Sequence, residues 1–404
     1  MERAVKNRLS KLHVFFDDSI FHIQPVGGIS RYVTNLALAL AATDQCRVTL
    51  FAGWSAVKLP HSLRGKPNLQ IVHLPRPPTW RINTFAASIS LAWRRLAFRS
   101  AFRRHGENIY HPTFYAHDPV IARHANGMVV TFHDMIAELF PEDSERAIKH
   151  LRQKVVASRE ANAILTVSDS TFNDLMRLHP WTEGKTSVAH LATEFRYFEH
   201  PTSIKWNQQM AGYFLMVGNR DHYKNGHLAI LAFKEFSQQP RKDAFGLVMC
   251  GGKPPTEEEV EVLKGGGLNS RVVWVTANDE DLASLYSHAT ALLYPSRYEG
   301  FGLPVLEAMA CGCPVITTRS SSLPEVGGDA CLYINGDDHR EMVGAMRRLT
   351  SDIVFRRGIA NKGVQRSSNF SWQKCAKETV GAYTRALRLR KSRPTPNGPA
   401  PTVN

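Results

Sequence analysis

Glu299 and Glu307 bracket the stretch EGFGLPVLE, in which seven residues separate the two carboxylates and Gly300, Gly302 and Pro304 bend the chain between them. The preceding ALLYPS reads as a buried strand, Pro304 suits the first turn of a helix, and Gly312 suits that helix's C-terminal stop. The loop therefore opens a helix at the carboxyl edge of a parallel sheet, where α/β proteins bind ligands. Backbone N–H groups at a helix start, with the helix dipole behind them, attract phosphate. Gly300 and Gly302 let the main chain come close to such an anion, and Phe301 and Leu303 carry the neighbouring N–H groups. Glu307, expected in the first helical turn and facing back to the loop, would repel phosphate unless it held something else. Vicinal hydroxyls, as on a ribose, suit an ionised carboxylate. With Glu299 on the other side of the turn, the pair is placed to grip two sugars flanking a diphosphate. The plainer reading, two ordinary glutamates of a loop and a first turn, stays open on this pattern alone.

Three further stretches place polar chemistry at strand or helix ends. VGNRDHYKN supplies Gly218, Asn219, Arg220 and Lys224 as a basic loop after a strand. GGISRY puts Gly27 and Gly28 at a helix start, where backbone N–H groups can face a cleft. His133, in TFHD at a strand end, could hydrogen-bond a sugar hydroxyl as neutral imidazole, whereas a lone histidine is by default a core residue. Asp134 is expected to cap or brace the loop, and Glu325 in LPEVGGDA serves either the loop or a ligand. Other patterns fail. No G-x-G-x-x-G follows any strand, and GKT at Gly184–Thr186 lacks the glycine of a phosphate loop because position 179 is His. DED at Asp279–Asp281 precedes a helical pattern, so Asn278 or Asp279 reads as its cap and not as part of a metal site.

The elements that must hold these residues alternate. LHVFF, RVTLFAG, NIYHP, GMVVTFHD, AILTVSDS, YFLMVGN, FGLVMCGG, RVVWVT, ALLYPS and CPVIT read as strands, most of them near-continuous apolar runs of the kind covered on both faces. Helical patterns between them imply an α/β, doubly wound arrangement. Polar Glu199–Gly212, with Pro201, marks a boundary between an N-terminal unit, residues 1–200, and a C-terminal one, residues 201–370. A helix at 371–390 is expected to cross back to the first unit, and the Pro-rich tail 391–404 reads as disordered. The helix at 85–104 has two apolar stripes, Phe85, Ile89, Trp93 and Leu96 against Leu91, Phe98 and Phe102, with Arg94, Arg95, Arg99 and Arg103 between. Two stripes suit a helix sandwiched in the domain; a basic and aromatic face resting on a membrane or a lipid-linked acceptor is the alternative.

The bulk composition bounds the rest. The 404 residues suit two domains, and 50 Lys and Arg against 36 Asp and Glu leave a net charge of +14, which favours anionic partners. Nucleic acid is a poor candidate, because aromatic and basic residues interleave in one helix only. No apolar run reaches the roughly 18 residues of a membrane span, and the basic start MERAVKNRLSKLHVFF lacks the apolar core of a signal peptide. Cys46, Cys250, Cys311, Cys313, Cys331 and Cys375 form neither a disulfide framework nor a zinc pattern, which points to thiols in a reducing cytoplasm.

The stretch YPSRYEGFGLPVLEAMACGCPVITTRSSSLPEVGGDACLY resembles the C-terminal domain of the group 1 (family 4) retaining glycosyltransferases, whose signature is two glutamates with seven residues between them. YFLMVGNRDHYKN, GGISRY, VVTFHDMIAELFP and ILTVSDSTFNDL extend the resemblance from Val14 to about Leu387. It implies a GT-B fold, two Rossmann-like domains facing a cleft, with the donor on the C-terminal one and the acceptor mainly on the N-terminal one. It assigns Glu299 to the donor hexose and Glu307 to the nucleotide ribose, Lys224 to a basic diphosphate clamp, Gly27 and Gly28 to an N-terminal glycine loop, and His133 to the reacting sugar. The family's clamp arginine directly follows the glycine; here Asn219 follows Gly218 and Arg220 comes next, so Arg220 must reach from a displaced position. The implied activity is transfer of a hexose, with a lean toward mannose from GDP-mannose, to a glycan or lipid-linked acceptor in polysaccharide or lipopolysaccharide assembly. It needs no cofactor and no obligatory divalent metal, and it runs in the cytoplasm or peripherally on the inner membrane face. Rivals are a nucleotide-sugar hydrolase or epimerase or a glycan phosphorylase of the same fold, told apart by product formation only with an added acceptor. A non-catalytic protein bound to anionic surfaces would instead bind polyanions without affinity for nucleotide sugars.

Overall fold

This computed structural model describes residues 11–25, 27–52, 59, 61–73, 84–142, 144–200, 210–220, 222–238 and 244–391. The chain divides into two compact units, one of residues 1–167, 172–189 and 372–404, the other of residues 168–171 and 190–371. The polar boundary stretch falls largely on residues 201–209, outside the described residues, as does the tail from 392. Contacts change sides earlier, between Ala189 and His190.

In the first unit β1 (Leu12–Phe16), β2 (Cys46–Ala52), β3 (Leu69–His73) and β4 (Asn108–His111) form a parallel sheet in the order β3-β2-β1-β4. β5 (Val129–Phe132), β6 (Ala163–Thr166) and β7 (Thr186–Val188) continue in parallel, and a bridge from Tyr110 to Met128 joins the two runs. The final helix, Trp372–Lys391, belongs to this unit: Tyr383 Oη lies 2.8 Å from His111 Nδ1, and Arg390 Nη2 donates to the Arg123 carbonyl at 2.7 Å.

The second unit holds β8 (Gly212–Val217), β9 (Phe245–Cys250), β10 (Val272–Val275), β11 (Ala291–Tyr294), β12 (Val315–Thr318) and β13 (Cys331–Ile334) in the order β10-β9-β8-β11-β12-β13, every pair parallel. Counted from its first strand this is 3-2-1-4-5-6, the doubly wound order of nucleotide-binding folds. The winding reverses between β8 and β11, which leaves a crevice at their carboxyl ends. All six residues of β9 and all four of β11 are buried, which is why they read as unbroken apolar runs. Their core meets Ile230 and Phe233 of helix Gly226–Ser237 and Met342 and Met346 of helix His339–Ser351.

Sequence reading misses β3, β7 and β13, all edge strands with partly exposed residues: LQIVH and TSV show neither an apolar run nor a clean alternation, and CLYI is an apolar run of four, too short to tell from a helix segment.

The two-striped helix, Thr84–Arg104, is not sandwiched. Phe98 and Phe102 are buried, with the Phe98 ring tilted against Phe51 at 4.0 Å and edge-on to Tyr110 at 5.6 Å. Trp93 and Leu96 are 54% and 56% exposed, and Leu91, read on the same stripe as Phe98 and Phe102, is 40% exposed. The side chains of Phe85 and Ile89 lie outside the described residues. Arg94 faces Asp17 and Asp18 at 3.5 and 3.8 Å, and Arg95 Nε donates to Asp118 at 2.9 Å, so inward-turned arginines tie the helix down without a second apolar face.

Candidate active site

Two loops rise at the reversal point of the second unit, one after β8 and one after β11, and the backbone joins them where Arg297 N–H donates to the Tyr223 carbonyl at 2.7 Å. The β11 loop turns at Gly302, whose φ of +95° and role as cap of helix Leu303–Ala310 require glycine. A Cβ there would stand 2.9 Å from Leu323 Cδ2. Among the described residues the N–H groups of Gly300, Phe301 and Gly302 meet no acceptor in the protein. They form a short row of donors at the positive end of the helix.

Glu299 is nearly buried and tied at both ends. Its N–H donates to Ser321 Oγ and its carbonyl accepts from Ser322 Oγ, each at 2.8 Å. Its two carboxylate oxygens accept from Lys224 Nζ at 2.6 and 2.8 Å, and the same ammonium donates to Tyr294 Oη at 3.2 Å. Burial, then the Glu299 charge, push the Tyr294 phenol well above its ordinary pKa.

Glu307 lies in the second turn of its helix and not the first, because the left-handed cap at Gly302 starts the helix already at Leu303. It is 3% exposed, and Oε2 accepts from Tyr286 Oη at 3.1 Å. Burial and the adjacent carboxylate keep Tyr286 protonated, so it remains a donor that fixes how Glu307 is aimed.

Lys224 ends a single 3₁₀ turn, His222–Lys224, and Asn225, in the left-handed region at φ 54°, starts the next helix and donates to the Gly336 carbonyl at 2.7 Å. Gly218 carries the strand end into this loop with φ +93°, and Asn219 is exposed. Arg220 departs from the expected clamp position. Its Nε and Nη2 donate to Glu259 at 2.8 and 3.0 Å, and Nη2 also reaches the carbonyls of Lys253 and Pro254. Glu259 completes the capping box of helix Glu257–Lys264, so the guanidinium braces a helix start and leaves Lys224 as the cation at Glu299.

In the first unit Gly27 caps helix Gly28–Ala41, and Gln24 Oε1 accepts the Ile29 N–H at 3.3 Å, so a side chain already serves part of the glycine loop. From that helix Tyr32 packs edge-on against the His133 ring at 5.1 Å, bringing GGISRY and TFHD together. The Tyr32 hydroxyl lies 2.9 Å from Thr131 Oγ1, which in turn lies 2.9 Å from His111 Nε2. Burial, with Lys154 nearby and against the pull of Asp134, lowers the His133 pKa to about 4, so the imidazole is neutral near pH 7. Asp134 is a brace: Oδ1 accepts the Ile136 N–H at 3.0 Å, and buried Lys154 Nζ donates to the Asp134 carbonyl at 2.9 Å and to Glu138 at 2.6 Å.

Glu325 is structural as well. Its oxygens accept the N–H groups of Asp169 and Ser170 at 2.8 and 3.2 Å, and His190 Nε2 lies 2.5 Å from Oε1. Burial raises its pKa, but the His190 bond and the two N–H groups outweigh that and lower it. Asp169, His190 and Glu325 are close enough to share a cation, yet this carboxylate already serves those three donors. Asn278, not Asp279, caps the DED helix, accepting the Asp281 N–H at 2.8 Å. All six cysteines are buried free thiols.

Sequence reading missed Tyr286, Tyr294, Ser321 and Ser322, the hydroxyls that aim the two glutamates. The signal available was slight: a tyrosine closing the apolar ALLY strand, and three serines directly after VITTR.

One family model, described as Glycosyl transferases group 1, matches residues 204–366, and another, Glycosyltransferase Family 4, matches residues 26–193. The O-antigen chain mannosyltransferase B of Escherichia coli is 29% identical over 382 residues, covering 89% of this chain and 96% of that protein. Sucrose-phosphate synthase from Thermosynechococcus elongatus superposes with a TM-score of 0.68 at 20% identity over 94% of this chain and 99% of its own. Anabaena Alr3699/HepE, solved with UDP and glucose, gives 0.67 at 17% identity over 93% and 99%. At these identities the structural likeness speaks for the fold, the two Rossmann-like units of the GT-B type.

Proposed function

Because this chain belongs to the group 1 (family 4) glycosyltransferases, we propose that it transfers mannose from GDP-mannose to a glycan or lipid-linked acceptor, with retention at the anomeric carbon and without an obligatory divalent metal. The observation that carries the donor site is the pairing of Lys224 with Glu299 beside the N–H groups of Gly300, Phe301 and Gly302, which meet no acceptor among the described residues, at the sheet's reversal point. The choice of mannose leans on likeness to the E. coli O-antigen mannosyltransferase over nearly its whole length.

In this reading the diphosphate lies against the N–H row with Lys224 at its side, the hexose meets Glu299, and the ribose hydroxyls meet Glu307. As the anomeric C–O bond breaks, its electron pair goes to the leaving phosphate oxygen, where Lys224 and the N–H row stabilise the new charge. The acceptor hydroxyl oxygen forms the new bond on the face just vacated, and its proton passes to that phosphate oxygen. The neutral His133 imidazole hydrogen-bonds the reacting sugar. This set of donors can do electrostatically what a metal does in other transferases, and Arg220 takes no part.

A thermal-shift panel of GDP, UDP, ADP and their sugars, with and without chelator, tests the reading. GDP and GDP-mannose should raise the melting temperature equally in both conditions, and product should form only with an added acceptor, its anomeric configuration read by NMR. No shift with any nucleotide would remove the donor site; a shift lost with chelator would remove the metal-free clause.

Among the described residues no helix is long and apolar enough to cross a membrane. For a lipid-linked acceptor we place a peripheral contact, on the cytoplasmic face, at helix Thr84–Arg104. Exposed Leu91, Trp93 and Leu96 stand there beside the exposed Arg99, Arg103 and Arg104. Trp93→Ser with Leu96→Ser should reduce co-sedimentation with anionic vesicles several-fold and leave binding of soluble GDP intact. Equal sedimentation of variant and parent would remove the contact.

A further inference from the structure

The carbonyl of Gly300, in the middle of the donor loop, accepts two buried hydroxyls. Ser168 Oγ donates to it at 2.6 Å and Thr171 Oγ1 at 3.0 Å, and both residues are fully buried. Their local sequence, SDST, sets this up. Ser168 Oγ accepts the Thr171 N–H at 3.0 Å, as an N-cap serine does, so its lone-pair side is engaged and its proton is left to donate. Ser168 Oγ also lies 3.1 Å from Thr171 Oγ1, and its single proton goes to the nearer acceptor, the Gly300 carbonyl at 2.6 Å, while Thr171 donates to the same carbonyl. The Glu325 carboxylate holds the N–H groups of the two intervening residues, Asp169 and Ser170, which fixes the segment from its other side.

A peptide carbonyl has two lone pairs, and here two donors converge on it. Hydrogen bonds to the oxygen draw charge toward it and make the N–H of the same peptide a stronger donor. That N–H belongs to Phe301, one of the row that meets no acceptor among the described residues. Capping a helix needs Ser168 alone; it gives no reason for a second hydroxyl on Gly300. We propose that Ser168 and Thr171 are positioning residues of the transferase: they lock and polarise the Gly300–Phe301 peptide so that the Phe301 N–H meets the donor's diphosphate. The inference rests on the donor-site reading above.

The test measures affinity by titration calorimetry for the nucleoside diphosphate that stabilises the wild-type protein best in the panel of GDP, UDP and ADP, and for the matching monophosphate. Thr171→Val removes the hydroxyl at nearly constant shape. It should weaken diphosphate binding about tenfold, the scale of one strengthened hydrogen bond to a charge, while monophosphate binding stays within about twofold. Thr171→Ser keeps the hydroxyl and should return to within about twofold of wild type. Ser168→Ala should shift diphosphate affinity in the same direction and supplies the reading if the valine variant does not fold. Unchanged diphosphate affinity in the folded variants overturns this inference alone, as does equal loss for monophosphate and diphosphate, or a serine variant as weak as the valine one. Wild-type protein that binds no nucleotide overturns it together with the donor site.

Discussion

Glu307→Ala is expected to weaken donor binding by about 10²- to 10⁴-fold. Two vicinal hydroxyls donating to an ionised, buried carboxylate each contribute roughly 1.5–3 kcal/mol, and about 1.4 kcal/mol is a factor of ten. The loss should reach the bare nucleoside diphosphate as strongly as the nucleotide sugar, because the ribose is common to both. Part of the effect is internal, since alanine leaves the buried Tyr286 hydroxyl without the acceptor it now holds at 3.1 Å. Glu307→Gln separates the two contributions. An amide oxygen can still accept from Tyr286, so the fold should keep its stability while donor affinity falls about tenfold with the lost charge. Calorimetric titration with GDP and GDP-mannose decides it; an alanine variant that binds both like wild type removes the ribose role.

Lys224→Ala should act on turnover, by about 10²- to 10³-fold, the scale found when one donor to a developing oxyanion is removed. It has a second effect that the ion pair makes unavoidable. Glu299 loses its counter-charge while remaining nearly buried, and removing one partner of such a pair costs about 3–5 kcal/mol at full burial, somewhat less where, as here, the lysine keeps contact with solvent. The variant should therefore melt lower as well as turn over more slowly. Adding Glu299→Gln relieves the unpaired charge, so the double variant should recover most of the melting temperature and none of the activity. Recovery of both would mean that Lys224 serves the fold alone. Stopped assays with labelled GDP-mannose alongside thermal melts read both quantities.

Much of this arrangement was legible in the residues. Strands β8, β9 and β11 announce themselves because burial on both faces leaves no room for polar alternation. Gly302, Pro304 and the two glutamates announce a turn into a helix because each residue type meets a local backbone demand. The partners of those glutamates did not show. Tyr286 arrives from a helix that ends before β11, and Ser321 and Ser322 from the loop after β12, so only the sheet order brings them close. Arg220 is the opposite case. Its place two residues after Gly218 suggests a phosphate ligand, whereas the structure pairs the guanidinium with Glu259, 39 residues away, through tertiary packing that no local spacing records. The exposed Trp93 and Leu96 make a similar point, since two apolar stripes on one helix do not say which of them the domain has room to cover.

The last helix has a consequence for how the molecule comes into being. Residues 372–391 supply Tyr383 to His111 and set Ala386 against Gly127, contacts inside a unit whose sheet was completed nearly two hundred residues earlier in the chain. A polypeptide emerging from the ribosome thus carries an uncapped N-terminal sheet throughout the synthesis of everything between, and a stop codon or protease cut before Trp372 would strip the cover from both halves of that sheet's joint while leaving the donor-side strands whole in sequence.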